Sequence, residues 1–229
     1  MKKILVLYFI IIYQAQAQNK ISEAKKTEPI KGLTFILPAN FSIMNDDDIA
    51  QKYPTYKKPL AMYNSQDKEA DFGVNHAVNR WYNANLTILR DMYKSTINSV
   101  FTNVDYIQEG VIKTINGRNF IVFEFTSELT EEKRIDEKDV RLRTYSFMCY
   151  TLHDAKILVF NFTTRAHYQS KWAPVAATIM NSITISPKLK VGDFTPYKVD
   201  RPLPKTNLKN DPQMEAIKRL RENNKEIPK

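Results

Sequence analysis

Apolar positions change period several times along this chain, and each change marks an element. Leu33 to Leu37 is a short apolar run ended by Pro38, which predicts a strand. Asn45 followed by Asp46, Asp47 and Asp48 predicts a capped, acidic helix start, and Pro54 requires that helix to stop before it. Leu60 to Asn64 and Phe72 to Tyr82 read as strands across a polar turn. Leu86, Leu89, Tyr93, Ile97 and Val100 recur every three or four residues, which places them on one face of a helix of about four turns. Val104 to Ile115 and Phe120 to Thr126 are strands joined at Asn116 and Gly117, a dipeptide that supplies the positive φ angles of a tight hairpin. After a charged loop from Glu128 to Asp139, Leu142 to Leu152 and Ile157 to Thr164 form a second hairpin through His153, Asp154 and Ala155. A last helix runs from about Gln169 to Ser182, with Pro174 near its start.

Two of these strands are apolar on both sides. Ile121, Phe123 and Phe125 alternate onto one face while Phe120 and Val122 occupy the other, and Leu158, Phe160 and Phe162 oppose Ile157 and Val159 in the same way. An antiparallel sheet with helices on both faces, an α+β architecture, gives both sides cover.

The order of elements and three local strings resemble the PsbP-like α/β/α sandwich family. The strings are Gly32-Leu33-Thr34-Phe35-Ile36-Leu37-Pro38 at the opening, Ile115-Asn116-Gly117-Arg118 between strands, and the helix ending Ile179-Met180-Asn181-Ser182-Ile183. The likeness spans residues 32 to 186, with Phe41 where many bacterial members have a tryptophan. The resemblance implies a binding or scaffolding role, as in extrinsic photosystem subunits, a Ran-binding import factor and DcrB-type envelope proteins. It implies no shared catalytic set and carries no functional residue over.

Charge divides the chain further. The formal net charge is +9, yet residues 32 to 185 hold 17 groups of each sign, and residues 186 to 229 hold 11 basic and 6 acidic groups. A neutral folded part argues against a nucleic-acid groove. Lys2 and Lys3, an apolar run of 10 residues from Ile4 to Tyr13 and the Ala15-Gln16-Ala17 site predict a signal peptide over residues 1 to 17. A bilayer span takes about 20 residues, so that run is too short for an anchor. Gln18, not a cysteine, stands directly after the cleavage site, so the expected product is exported to the periplasm or beyond and is not a lipoprotein. Residues 18 to 31 read as a linker, 32 to 186 as the domain, and 187 to 229 as a proline-containing basic tail. Asp211 and Pro212 start a short helix in that tail, carrying Met214, Ile217 and Leu220 at a spacing of three. The tail is suited to an acidic protein or an anionic surface.

Candidate chemistry is sparse. His76, His153 and His167 show no metal-ligand spacing, and no serine elbow or phosphate loop is present. Cys149 alternates in phase with Tyr145 and Phe147 and reads as a buried small hydrophobe. Asp46 to Asp48 lack the calcium-loop pattern and suit a helix start. Glu124, mid-strand between two phenylalanines, needs a cross-strand partner such as Arg141 or Arg143 or a water-facing patch; lining a ligand cleft is its other reading. The proline-flanked loop with Tyr53, Tyr56, Lys57 and Lys58 either presents its rings to a partner or packs them down. Trp81, Tyr82 and Trp172 read as core contacts. These observations point to an exported, non-catalytic binding or scaffolding protein with a protein partner and no cofactor. A small or apolar ligand held in a cleft, and a hydrolase or isomerase using Glu124 with a histidine, are the alternatives.

Overall fold

The computed structural model describes residues 24–53, 58–79, 85–130 and 141–192. The segment read as a signal peptide, Trp81 and Tyr82, and the tail from residue 193 lie outside them. The strands are β1 (Ala24–Ile30), β2 (Leu33–Pro38), β3 (Phe41–Ile43), β4 (Ala61–Ser65), β5 (Ala70–Val78), β6 (Asn103–Ile115), β7 (Arg118–Thr130), β8 (Arg141–His153), β9 (Lys156–Arg165) and β10 (Thr184–Ile185). The helices are α1 (Asp46–Lys52), α2 (Leu86–Val100) and α3 (Gln169–Asn181). A seven-stranded sheet runs β3-β4-β5-β9-β8-β7-β6, and a three-stranded sheet runs β1-β2-β10. Every pairing is antiparallel.

The doubly apolar strands receive cover on both sides, as their pattern requires. On one face Phe120, Val122 and Phe160 meet Trp172, Ala176 and Ile179 of α3 together with Leu33 and Phe35 of the small sheet. On the other, Ile121, Phe123, Phe125 and Tyr150 meet Leu89 and Ile97 of α2. Met62 pairs with Gly73, which shares a face with Ala77 of the α2 cluster, so α1 and its partners Met44, Ile49 and Met62 lie on the same side as α2.

Asparagine side chains cap two helix starts, at Asn45 as the sequence predicts and also at Asn85, which its pattern did not single out. Asn45 Oδ1 accepts from the Asp48 amide at 2.8 Å and Asn85 Oδ1 from the Ile88 amide at 3.0 Å, satisfying orphan donors at the starts of α1 and α2. Asn116 and Gly117 take φ angles of +47° and +79°. The Asn116 amide also donates to the Ile183 carbonyl at 2.9 Å, tying the first hairpin to the end of α3.

Two segment readings change. Within residues 18 to 31, Ala24–Ile30 is a strand and not a linker, because it pairs along β2 and packs Ile30 on the core. Its polar composition follows from its place at the edge of the small sheet, where most of its side chains are exposed. The folded part also continues past Ser186. Leu189 is 1% exposed within the core, and Val191 packs beside it.

Candidate functional site

The loop after α1 turns inward at both of its described candidates. Tyr53, at the end of α1, donates from its hydroxyl to Asp71 Oδ2 at 2.6 Å, and Lys52 Nζ reaches the same oxygen at 2.6 Å. Burial, then the neighbouring Asp71 charge, raises the pKa of the Tyr53 hydroxyl far above the usual phenolic value. Lys58 Nζ lies 2.7 Å from Asp46 Oδ1 and bridges its other oxygen at 2.8 Å. Tyr53 therefore fastens α1 to the sheet, and Lys58 ties the following loop to the start of α1. Tyr56 and Lys57 lie outside the described residues, as do Met214, Ile217 and Leu220. Asp46 to Asp48 form the first turn of α1, and among the described residues no group of three or more His, Cys, Asp or Glu side chains is arranged to hold a metal ion.

Glu124 has partners other than those its sequence position suggested. Tyr145, opposite Thr126 on β8, donates from its hydroxyl to Glu124 Oε1 at 2.8 Å, and Gln108 on β6 donates to Oε2. Arg143 instead bonds Asp105 at 2.8 Å and lies 3.5 Å from Glu128. The side chain of Arg141 is outside what is described. Tyr145 is fully buried, and burial together with its bond to Glu124 raises the pKa of its hydroxyl far above normal. The register explains the choice: Glu128, not Glu124, is opposite Arg143, whereas Phe147 is opposite Glu124 and leaves the neighbouring Tyr145 to reach across.

The histidines sit elsewhere. His153 is six residues along β8 from Phe147, the residue opposite Glu124, a distance of about 20 Å at strand rise. Its Nε2 lies 2.8 Å from the Leu189 carbonyl oxygen. His76 is buried on β5 opposite Leu158, three strands from β7, and His167 lies against Tyr168 with ring centroids 3.9 Å apart and planes tilted by 50°. Glu124 with a histidine is thus not assembled among the described residues. Cys149 is buried, and burial pushes its thiol up to about 12, away from nucleophilic use.

Three large apolar side chains are left outward on β6, one of the two edge strands of the large sheet. Ile107, Val111 and Ile112 on β6 are 52%, 44% and 42% exposed. β6 ends the large sheet, and its pairing with β7 shifts register twice, between Tyr106 and Gln108 and between Glu109 and Val111. Gly110 stands at the second shift with φ +67°, packed so closely that a Cβ would lie 2.6 Å from Arg90 Cγ. Sequence reading placed β6 but not these exposures. The available signal was the break in alternation at Ile107 and again at Val111-Ile112, where neighbouring apolar residues cannot all point inward.

No family model matches the chain, and no curated protein matches it. Among solved structures it is similar to cyanobacterial PsbP (CyanoP) from Synechocystis sp. PCC 6803, at 11% identity and a TM-score of 0.49, covering 72% of this chain and 94% of that one. A PsbP is among its structural neighbours. The chain is also similar to LpqN, involved in cell envelope biogenesis of Mycobacterium tuberculosis, at 9% identity, a TM-score of 0.43, and coverage of 72% and 93%. The Saccharomyces cerevisiae Ran-binding protein Mog1p stands at 10% identity, a TM-score of 0.43, and coverage of 71% and 95%. At such identities the likeness is one of fold. Among the described residues, no helix is long and apolar enough to cross a membrane.

Proposed function

We propose that this chain is an exported, non-catalytic binding or scaffolding protein of the bacterial envelope, and that β6 is the surface through which it engages a protein partner. The observation that carries this reading is that three large apolar side chains of one edge strand stay exposed, Val111 on the face of Val122 and Ile112 on the face of Ile121 with Ile107 further along, so that both sides of this edge offer apolar contact. Contact is made by side chains and not by adding a strand. The two register shifts, the positive φ at Gly110, and the charges of Asp105, Glu109 and Lys113 all discourage continuous strand pairing. The engagement of Glu124 by Tyr145 and Gln108 and the raised thiol of Cys149 fit a non-catalytic role.

Export rests on the Lys2-Lys3 start, the short apolar run and the Ala15-Gln16-Ala17 site. The basic tail adds a second contact, electrostatic and salt-sensitive, toward an acidic partner or an anionic surface.

The test is affinity capture from an envelope extract, comparing the mature chain with an Ile107→Glu/Ile112→Glu variant. The reading predicts captured proteins that are lost with the double substitution while the thermal midpoint is kept. A captured set unchanged by the double substitution contradicts the assignment to β6.

A further inference from the structure

Asn116 is the one asparagine of the chain followed by glycine, and the fold puts that pair at an exposed hairpin tip. An asparagine side-chain amide before glycine is open to attack by the next backbone nitrogen, because glycine has no side chain to hinder the approach. The Gly117 nitrogen stands between the paired residues Ile115 and Arg118, outside the ladder. Beyond its chain neighbours no atom lies within 4 Å of where a Gly117 Cβ would stand, so the tip is open to water.

Two features hold the reaction back in the folded chain. Asn116 and Gly117 have φ of +47° and +79°, the pattern of a type I′ turn, in which ψ of the first residue is about +30°. Closing a five-membered ring requires the Gly117 nitrogen on the same side as the Asn116 side chain, and at that ψ it points away. The leaving nitrogen is also held. Asn116 Nδ2 donates to the Ile183 carbonyl at 2.9 Å and to the Asn181 carbonyl at 3.3 Å, both at the C-terminal end of α3, where carbonyls lack intrahelical donors.

We infer that Asn116 is a conditional modification site, silent while the first hairpin grips the end of α3 and deamidating when that grip opens. In the reaction the Gly117 nitrogen gives up its proton and bonds Asn116 Cγ, the Cγ–Nδ2 bond breaks, and ammonia leaves with that proton. Water then opens the cyclic imide at either carbonyl, giving aspartate or isoaspartate. Either product is a carboxylate with no hydrogen to donate, facing two carbonyl oxygens at the negative end of a helix dipole. The conversion is one-way, so it leaves the α3 end released: Ile183 in the core and β10, which pairs with β2, lose their tie to the hairpin. No residue of the β6 contact surface takes part.

The experiment follows residue 116 by peptide mapping while the chain is held at fixed, mildly alkaline pH, folded and in denaturing urea. The folded chain should convert more slowly by about tenfold or more, the worth of two ordinary hydrogen bonds in the opening equilibrium. Ser182 Oγ accepts from the Ile36 amide at 2.8 Å and holds the same end of α3 to β2, so Ser182→Ala should raise the folded-state rate severalfold. Should that variant not fold, Ile183→Val, a small trim at the same end, serves with the same expectation. Leu89→Val, which trims the core on the opposite face, should leave the rate unchanged. In Asn116→Asp, made directly, amide exchange at residues 182–186 should quicken while β7 and β8 keep their protection. Equal rates in the folded and denatured chain, a folded-state rate unmoved by loosening α3, or unchanged exchange in Asn116→Asp would overturn the inference.

Discussion

His153 Nε2 lies 2.8 Å from the carbonyl oxygen of Leu189, and that contact holds the segment after Ser186 against the end of β8. Lys156 Nζ continues it, donating to the carbonyls of Val191 and Gly192 at 2.7 and 2.6 Å. Leu189 is a core residue, so Leu189→Ala should cost about 2–5 kcal/mol of stability. Truncation after Ser186 should lower the thermal midpoint by several degrees, whereas truncation after Gly192 should leave it nearly unchanged. Thermal denaturation of the two truncations side by side checks this; equal midpoints would show that residues 187–192 stand outside the cooperative unit.

Gly117→Val should destabilise through the backbone alone. No atom outside its immediate chain neighbours lies within 4 Å of where a Cβ would stand, so there is no clash, but φ is +79°. Left-handed backbone costs a non-glycine residue about 1–2 kcal/mol, and β-branching adds to it. Urea denaturation of Gly117→Val and Gly117→Asn checks the cause, since asparagine tolerates this region and should recover most of the loss.

These two positions mark how far the sequence could be read. Asn116-Gly117 was legible because a tight hairpin needs positive φ and few residue pairs supply it. The cover on both sheet faces was legible from Phe120 to Phe125, since alternation leaves neither side polar. Leu189 was not, because a single apolar residue among prolines and lysines has no period, and its burial depends on His153 and Lys156, more than 30 residues earlier. Glu124 is conspicuous in the sequence as a carboxylate between two phenylalanines, but its partners follow from the register of β7 with β8 and β6, which pattern alone does not set.

Asp67 supplies a pH dependence. Burial acts to raise its pKa, but bonds from Lys171 at 2.8 Å and Ser65 at 2.5 Å outweigh that and bring it down to about 2. A carboxylate depressed on folding contributes stability that is fully present above its unfolded pKa of about 4 and is lost as pH falls through the folded value. The stability difference between the native chain and Asp67→Asn should therefore be constant at neutral pH and shrink between about pH 4 and 2. Denaturation midpoints across that window check it; a difference independent of pH would mean the carboxylate charge is not used.

Cys149 should resist alkylation in the folded protein. Its thiol is buried and held up at about 12, so iodoacetamide at pH 8 should label it only after denaturation. Intact mass before and after denaturant reads the outcome, and labelling of the native chain would show that β8 opens under native conditions.

The most direct test of β6 as the working surface is site-specific photo-cross-linking in the native envelope. A photoreactive residue is placed in turn at Ile112, exposed on β6, and at Thr178, exposed on α3. The account predicts a discrete cross-linked protein from position 112 and none from position 178. Adducts from position 178 alone, or none from position 112 with the protein exported and folded, would contradict it.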